Sequence, residues 1–174
     1  MTRLILIAAQ SLDGFIAKHD HSGTDFCSPE DRAFLASALK DFDSMIMGRA
    51  TFQTLQERIS ASKSTRYLRK IMTRQPERYA DLAKPDLIEF TNASPAEILA
   101  ELAARGRQRC ALLGGGETYS RFLDSGLVDE LWLTLEPLVF GSGTPLATGR
   151  LENRFRLASM ETLGENTILL RYRK

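Results

Sequence analysis

The chain has 174 residues, of which 43% are hydrophobic and 26% charged, and its formal net charge is +1. That composition fits one globular domain, residues 1–174, with enough apolar side chains for a real core. The near-neutral balance gives no electrostatic basis for binding nucleic acid or an anionic membrane.

Residues 3–9 form a continuous apolar run, the pattern of a strand covered on both faces. The run is too short to span a bilayer. It leads into Asp13-Gly14 rather than a cleavage site, so no signal peptide is expected. Asp13-Gly14 is a turn signal, after which Phe15-Ile16-Ala17 returns to apolar character. A polar loop follows from His19 to Phe26. His19 and His21 could be ligands or acid–base groups, but without a nearby carboxylate-and-histidine set they read as surface residues. Cys27 and Cys110 match no metal-ligand spacing, and reduced thiols in a cytoplasmic protein are expected.

Ser28-Pro29-Glu30-Asp31 opens a helix, with Ser28 as N-cap and Pro29 at the first helical position. Two readings of Asp31 stand side by side. At the third position it can close a capping box. It also falls in line with Leu35, Ala38 and Phe42 of the apolar stripe Phe34, Leu35, Ala38, Leu39 and Phe42, at about 100° per residue. An acid on the core side of a helix is a candidate for a raised pKa and a proton-handling role.

Ser44 to Met47 reads as a short strand ending in Gly48-Arg49-Ala50-Thr51. Phe52, Leu55 and Ile59 then recur at helical spacing, and residues 60–66 read as a polar loop. Tyr67 to Met72 forms a strand that ends in Thr73-Arg74, and Leu87 to Phe90 forms another. Ser94-Pro95-Ala96-Glu97 is a capping box opening a helix with Ile98, Leu99 and Leu102 inside and Gly106 at its end. Cys110 to Leu113 is a buried strand that stops at Gly114-Gly115-Gly116. Tyr119, Phe122 and Leu123 continue on one helical face, closed by Gly126. Glycines let backbone amides approach a ligand, and the helix N-terminus beyond them suits a phosphate, although the spacing is not Gly-x-Gly-x-x-Gly. A tight structural turn explains the same three glycines. Arg49 and Arg74, each just after a strand, offer forked cations for phosphate, or are solvated residues at element ends.

Leu127 to Leu135 reads as a long strand, and residues 136–145 as a Gly/Pro loop rich in apolar side chains. Residues 154–160 and 167–173 alternate around Gly164-Glu165-Asn166 as an antiparallel hairpin. Strands alternate with helices up to residue 126 and only strands follow. The fold class is therefore α/β, with a mostly parallel sheet and an antiparallel C-terminal edge. Ligands of such sheets bind at the carboxyl ends of the strands, where the turns at Gly48, Thr73 and Gly114 can converge. The strand 127–135 and Leu138-Val139-Phe140 carry more apolar surface than a C-terminal edge usually shows, which points to a self-association surface.

Three stretches carry a family resemblance: Ala8-Ala9 with Asp13-Gly14-Phe15-Ile16-Ala17, Met47-Gly48-Arg49-Ala50-Thr51-Phe52, and Leu113-Gly114-Gly115-Gly116-Glu117-Thr118-Tyr119. In this order they resemble the dihydrofolate reductase-like superfamily, a three-layer α/β/α fold. Ser11-Leu12-Asp13-Gly14 and the run from Gly126 to Pro145 are more similar to the RibD C-terminal reductase domains of bifunctional riboflavin-biosynthesis proteins. The resemblance implies NADPH as hydride donor. It implies that Gly48, Arg49 and Thr51 bind the pyrophosphate and 2′-phosphate, and that Thr73 and Arg74 lie at the adenosine end. It also implies that Gly115, Gly116, Glu117 and Thr118 contact the pyrophosphate, that Ala9, Ile16 and Ala17 flank the nicotinamide, and that Asp31 is the substrate acid. The relatives imply a homodimer.

Thr24 to Ser28 lacks the tryptophan-containing turn of folate reductases, and residues 57–66 do not fit the stretch whose arginine grips the folate tail. The expected activity is thus an NADPH-dependent reductase of a pteridine- or pyrimidine-like heterocycle, similar to 5-amino-6-(5-phosphoribosylamino)uracil reductase or to dihydrofolate reductase. The alternative is a nucleotide-binding module of the same fold without catalysis.

Overall fold

A computed structural model describes residues 1–21, 23–61 and 65–174 of the chain. Residues 62–64 of the expected polar loop 60–66 lie outside the described residues, as does Ser22 in the loop after His19. In chain order the elements are β1 (Arg3–Ser11), β2 (Phe15–Lys18), α1 (Pro29–Ala38), β3 (Ser44–Gly48), α2 (Arg49–Ala61), β4 (Leu68–Met72) and β5 (Ile88–Thr91). They continue with α3 (Pro95–Ala104), β6 (Arg109–Leu112), α4 (Gly116–Asp124), β7 (Glu130–Glu136), β8 (Gly143–Pro145), β9 (Arg156–Leu163) and β10 (Thr167–Arg173).

Eight strands form one sheet in the order β5-β4-β3-β6-β1-β7-β10-β9. Every pairing from β5 across to β7 is parallel, and β10 and β9 close the sheet antiparallel. This is the mixed, mostly parallel sheet expected, with the C-terminal hairpin at its edge. Its central strands are apolar on both faces because helices cover both. One face packs Leu4, Leu6, Ile46 and Leu112 against Ile98 and Leu102 of α3 and Tyr119, Phe122 and Leu123 of α4. The other packs Ile5, Ile7, Met45, Met47 and Ile71 against Phe34 and Leu35 of α1 and Phe52 and Leu55 of α2. Fully buried rings such as Phe52 and Phe122 stabilise these layers by roughly 1.5–3 kcal/mol each.

Two expectations are corrected. The helix carrying Asp31 ends at Ala38, and Leu39–Asp41 tightens into a 3-10 turn before Phe42 turns extended and buries its ring. The segment 127–135 is not an exposed apolar edge. Strand β7 lies between β1 and β10, with Leu133 in the α3/α4 layer and Trp132 in the α1/α2 layer. Its apolar residues serve two core faces at once, which is why the run is so hydrophobic. The exposed apolar side chains of the C-terminal part are Leu138, Val139, Leu157 and Met160. The loop 136–145 also contains β8, which pairs antiparallel with β2. Asp13 ties the two segments: its carboxylate accepts from the Phe140 and Gly141 amides and from Ser11 Oγ.

Candidate active site

All the parallel strands point their carboxyl ends to one edge of the sheet, and the glycine turns meet there. The Gly48 amide at the end of β3 donates to Gly114 O at 2.7 Å, and the Gly114–Gly115 peptide is cis. A Cβ on Gly48 would lie 2.6 Å from Thr118 Oγ1, and one on Gly115 would lie 3.6 Å from Thr51 Oγ1. Gly48, Thr51, Gly115 and Thr118 therefore form one tight cradle at the N-termini of α2 and α4, where first-turn amides and the helix dipoles favour an anion. Gly116 closes the cradle from behind. Its missing Cβ would sit 2.7 Å from Pro145 O, a backbone atom that cannot step aside. Gly116→Ala is expected to lower stability by about 1–3 kcal/mol, read as a lower urea midpoint at unchanged slope.

Beside the cradle an open cleft of about 310 Å³ is lined by Thr73, Arg74, Asn92, Glu117 and Arg121. Arg74 and Glu117 face each other at 3.6 Å, both largely exposed. Arg49 lies outside this cleft, exposed, with its guanidinium donating to Gln53 Oε1 at 2.7 Å one turn along α2. The structure thus gathers Gly48, Thr51, Gly115, Gly116 and Thr118, and separately Thr73, Arg74 and Glu117. Asn92, directly after β5, and Arg121, one turn into α4, escaped the sequence reading.

The second half of the site lies at the end of β7. Ala9 of β1 is paired in register with Thr134, and Ser11 with Glu136. Ala17 is buried in β2, and Ile16 packs against the α3/α4 core layer. Asp31 is buried on the face that α1 turns to the sheet. Ser28 caps α1 as expected, its Oγ accepting from the Asp31 amide at 3.1 Å. The capping box is not closed by Asp31, however. The Ser28 amide and hydroxyl donate instead to Glu136 Oε1, at 2.8 and 2.9 Å, and Thr167 Oγ1 donates to Glu136 Oε2 at 3.0 Å. By contrast α3 shows the full box, Ser94 with Glu97.

The Asp31 carboxyl therefore faces inward. Burial raises its pKa, opposed by the Thr134 hydroxyl and Cys27 thiol that face it, reinforced by the charge of Glu136 and opposed by Arg32. Glu97, exposed at its own cap, is held below the usual carboxylate range by the Ser94 hydroxyl and amide. Burial also pushes the Cys27 thiol up, and Asp31 adds to it. Thr134 is 1% exposed, and its hydroxyl has no hydrogen-bond partner among the described residues. A ligand-type atom from each of Cys27, Asp31 and Glu136 lies within 4.8 Å of the other two. Thr134 and Glu136 were legible only as two polar residues at alternate positions of an apolar strand, a signal that the sequence reading passed over. Such an arrangement can hold a proton out of water next to an unsatisfied hydroxyl, which is a means of binding and protonating a small polar ring.

The chain matches the RibD C-terminal domain family over residues 2–169, and it belongs to that family. Among its relatives is a Bacillus subtilis protein, YwjB, 26% identical over 167 residues, which span 94% of this chain and 93% of that one. The fold is shared with a pyrimidine reductase-like protein from Corynebacterium diphtheriae, at a TM-score of 0.75 and 17% identity over 99% and 91% of the two chains. It is also shared with the diaminohydroxyphosphoribosylaminopyrimidine deaminase/5-amino-6-(5-phosphoribosylamino)uracil reductase of Thermotoga maritima, at a TM-score of 0.79 and 18% identity. There the match covers 99% of this chain and 56% of the Thermotoga chain. No helix among the described residues is long and apolar enough to cross a membrane.

Proposed function

We propose that the chain is a single-domain, NADPH-dependent reductase of a pteridine- or pyrimidine-like heterocycle. The observation that carries this reading is that a glycine cradle and a buried, inward-facing acid lie along the same carboxyl edge of the sheet. The cradle fits a dinucleotide: a side chain at Gly48 would crowd it, and two helix N-termini open onto it. Gly48, Thr51, Gly115, Gly116 and Thr118 would hold the pyrophosphate. Arg49 would reach the 2′-phosphate, while Thr73, Arg74 and Glu117, with Asn92 and Arg121, would line the adenosine end. Ala9, Ile16 and Ala17 would flank the nicotinamide. NADPH, when bound, supplies the hydride. Asp31 would bind the substrate ring and hold the proton that balances the transfer, with Thr134 orienting the same ring edge.

A screen of NADPH oxidation over dihydrofolate, pyrimidine and quinone-like compounds tests the reading. Turnover with a pteridine or pyrimidine supports it. NADPH binding without turnover on any of them favours the catalytically inactive nucleotide-binding module. The deep burial of Asp31, apart from the open cleft at Arg74, is the observation on that side.

A cytoplasmic setting is the proposed location, and both cysteines are buried free thiols. A homodimer is the proposed assembly. Strand β9 has a neighbour on one side only and is exposed along almost its whole length, with Leu157 and Met160 projecting at 56% and 67% exposure. Unpaired strand edges with apolar side chains are surfaces for another chain. Light scattering at micromolar concentration should return twice the monomer mass, and a monomeric mass would exclude the dimer.

A further inference from the structure

We infer that Glu136 is a positioning residue: it closes the cap of α1 from across the fold, and so leaves the Asp31 carboxyl free to face Thr134 and the substrate. The inference rests on the reading of Asp31 as the substrate acid. A Ser N-cap followed three residues later by Glu or Gln ordinarily closes on itself, the side chain accepting from the N-cap amide, and Asp31 stands at that position of α1 with a side chain one methylene shorter. In α3 it does so, Glu97 Oε2 accepting from the Ser94 amide at 2.8 Å and from its hydroxyl at 2.7 Å. In α1 the same two donors of Ser28 are taken by Glu136, 108 positions away. Thr167 holds the second oxygen of Glu136, so that this carboxyl receives three hydrogen bonds and its orientation is fixed. Asp31, relieved of capping, faces the Cys27 thiol and the buried Thr134 hydroxyl, which has no other hydrogen-bond partner among the described residues. Without Glu136 the Ser28 amide would lack an acceptor, and the nearest acid able to swing back to it is Asp31, drawn out of the pocket by an ordinary capping box.

The charged and titratable groups facing Asp31 are Glu136 from β7, Cys27 from the segment before α1, and Arg32 on its own helix. Burial and the charge of Glu136 both raise Asp31, and since alanine and glutamine at 136 remove that charge alike, a difference between the two variants reports the cap and not the charge. The test follows two NMR signals in the ligand-free protein: the Ser28 amide, and the ¹³C carboxyl titration of Asp31. Asp31→Asn should leave the Ser28 amide in place. Glu136→Ala should move it and lower the Asp31 midpoint, as an acid leaves an apolar site for a helix N-terminus. Glu136→Gln, whose amide oxygen still accepts from Ser28, should recover most of that shift. The inference is overturned if Asp31→Asn moves the Ser28 amide as Glu136→Ala does, or if Gln is no better than Ala. Should the alanine variant not fold, the Asp31→Asn spectrum decides alone, because it asks directly which acid caps the helix. None of these signals needs cofactor or turnover. A protein inert toward every heterocycle would therefore sink the reductase reading and leave this result standing.

Discussion

Asp31→Asn is expected to leave folding and NADPH binding intact while slowing reduction by roughly 10²-fold or more, the scale of a lost general acid. The geometry separates this outcome from a capping defect. If Asp31 closed the N-terminus of α1, its loss would cost about 0.5–2 kcal/mol. Its carboxyl does not cap: Glu136 takes the Ser28 donors, and only the Asp31 backbone amide enters the cap, which asparagine keeps. The pH dependence has a defined sign. Burial raises the folded pKa of Asp31 above its unfolded value. Between those two values the folded state binds more protons than the unfolded state. Stability therefore falls as pH rises through this window, and is lowest, as far as this group is concerned, above the folded pKa. Asparagine cannot ionise, so the variant should lack this decline and be at least as stable as the parent at neutral pH. Wild-type turnover should fall as pH rises through the folded pKa, because the proton is then absent. Parallel melting curves and pH–rate profiles of the two proteins check both halves. Full turnover in the variant would return the proton to water or another group.

Arg49→Ala should weaken NADPH binding by about 1.5–3 kcal/mol, roughly 10- to 100-fold in Kd, with little change for NADH. The guanidinium stands exposed at the start of α2, beside the cradle, with Gln53 on the same helix as its partner, a contact that a phosphate can replace. Arg74 should matter less. It lies opposite Glu117 at 3.6 Å with side chains 91% and 78% exposed, so part of its charge is already offset and the remainder is screened. Calorimetric titration of each variant with both cofactors tests the ranking; a comparable loss for NADPH and NADH would move the 2′-phosphate away from Arg49.

The strand–glycine–helix units were legible because each combines an apolar run, a residue that stops it and a periodic face: Ser44 to Phe52 and Cys110 to Leu123 are both found as read. The same holds for the caps at Ser28 and Ser94, whose signals are local. What stayed hidden depends on contacts distant in sequence. Glu136 reaches Ser28 only because β7 runs parallel to β1 and ends beside α1, and nothing in Leu135-Glu136-Pro137 announces that partner. Helical phase put Asp31 on the inward face, but could not decide whether its carboxyl served the cap, since that turns on a competitor from another strand. For the same reason β7 read as an edge: alternation cannot distinguish an exposed apolar strand from one buried between two helical layers. Cys27 looked inert at its spacing and proves to face Asp31.

An NADPH site at the carboxyl edge of the sheet is open to a direct thermal-shift comparison of NADPH with NADH at matched concentration. Binding to the native state alone stabilises in proportion to the logarithm of ligand over Kd, so the cofactor that adds a charge-assisted phosphate contact must shift melting further. NADPH should give a clear shift and NADH a smaller one. Equal shifts, or none with either, would contradict that site.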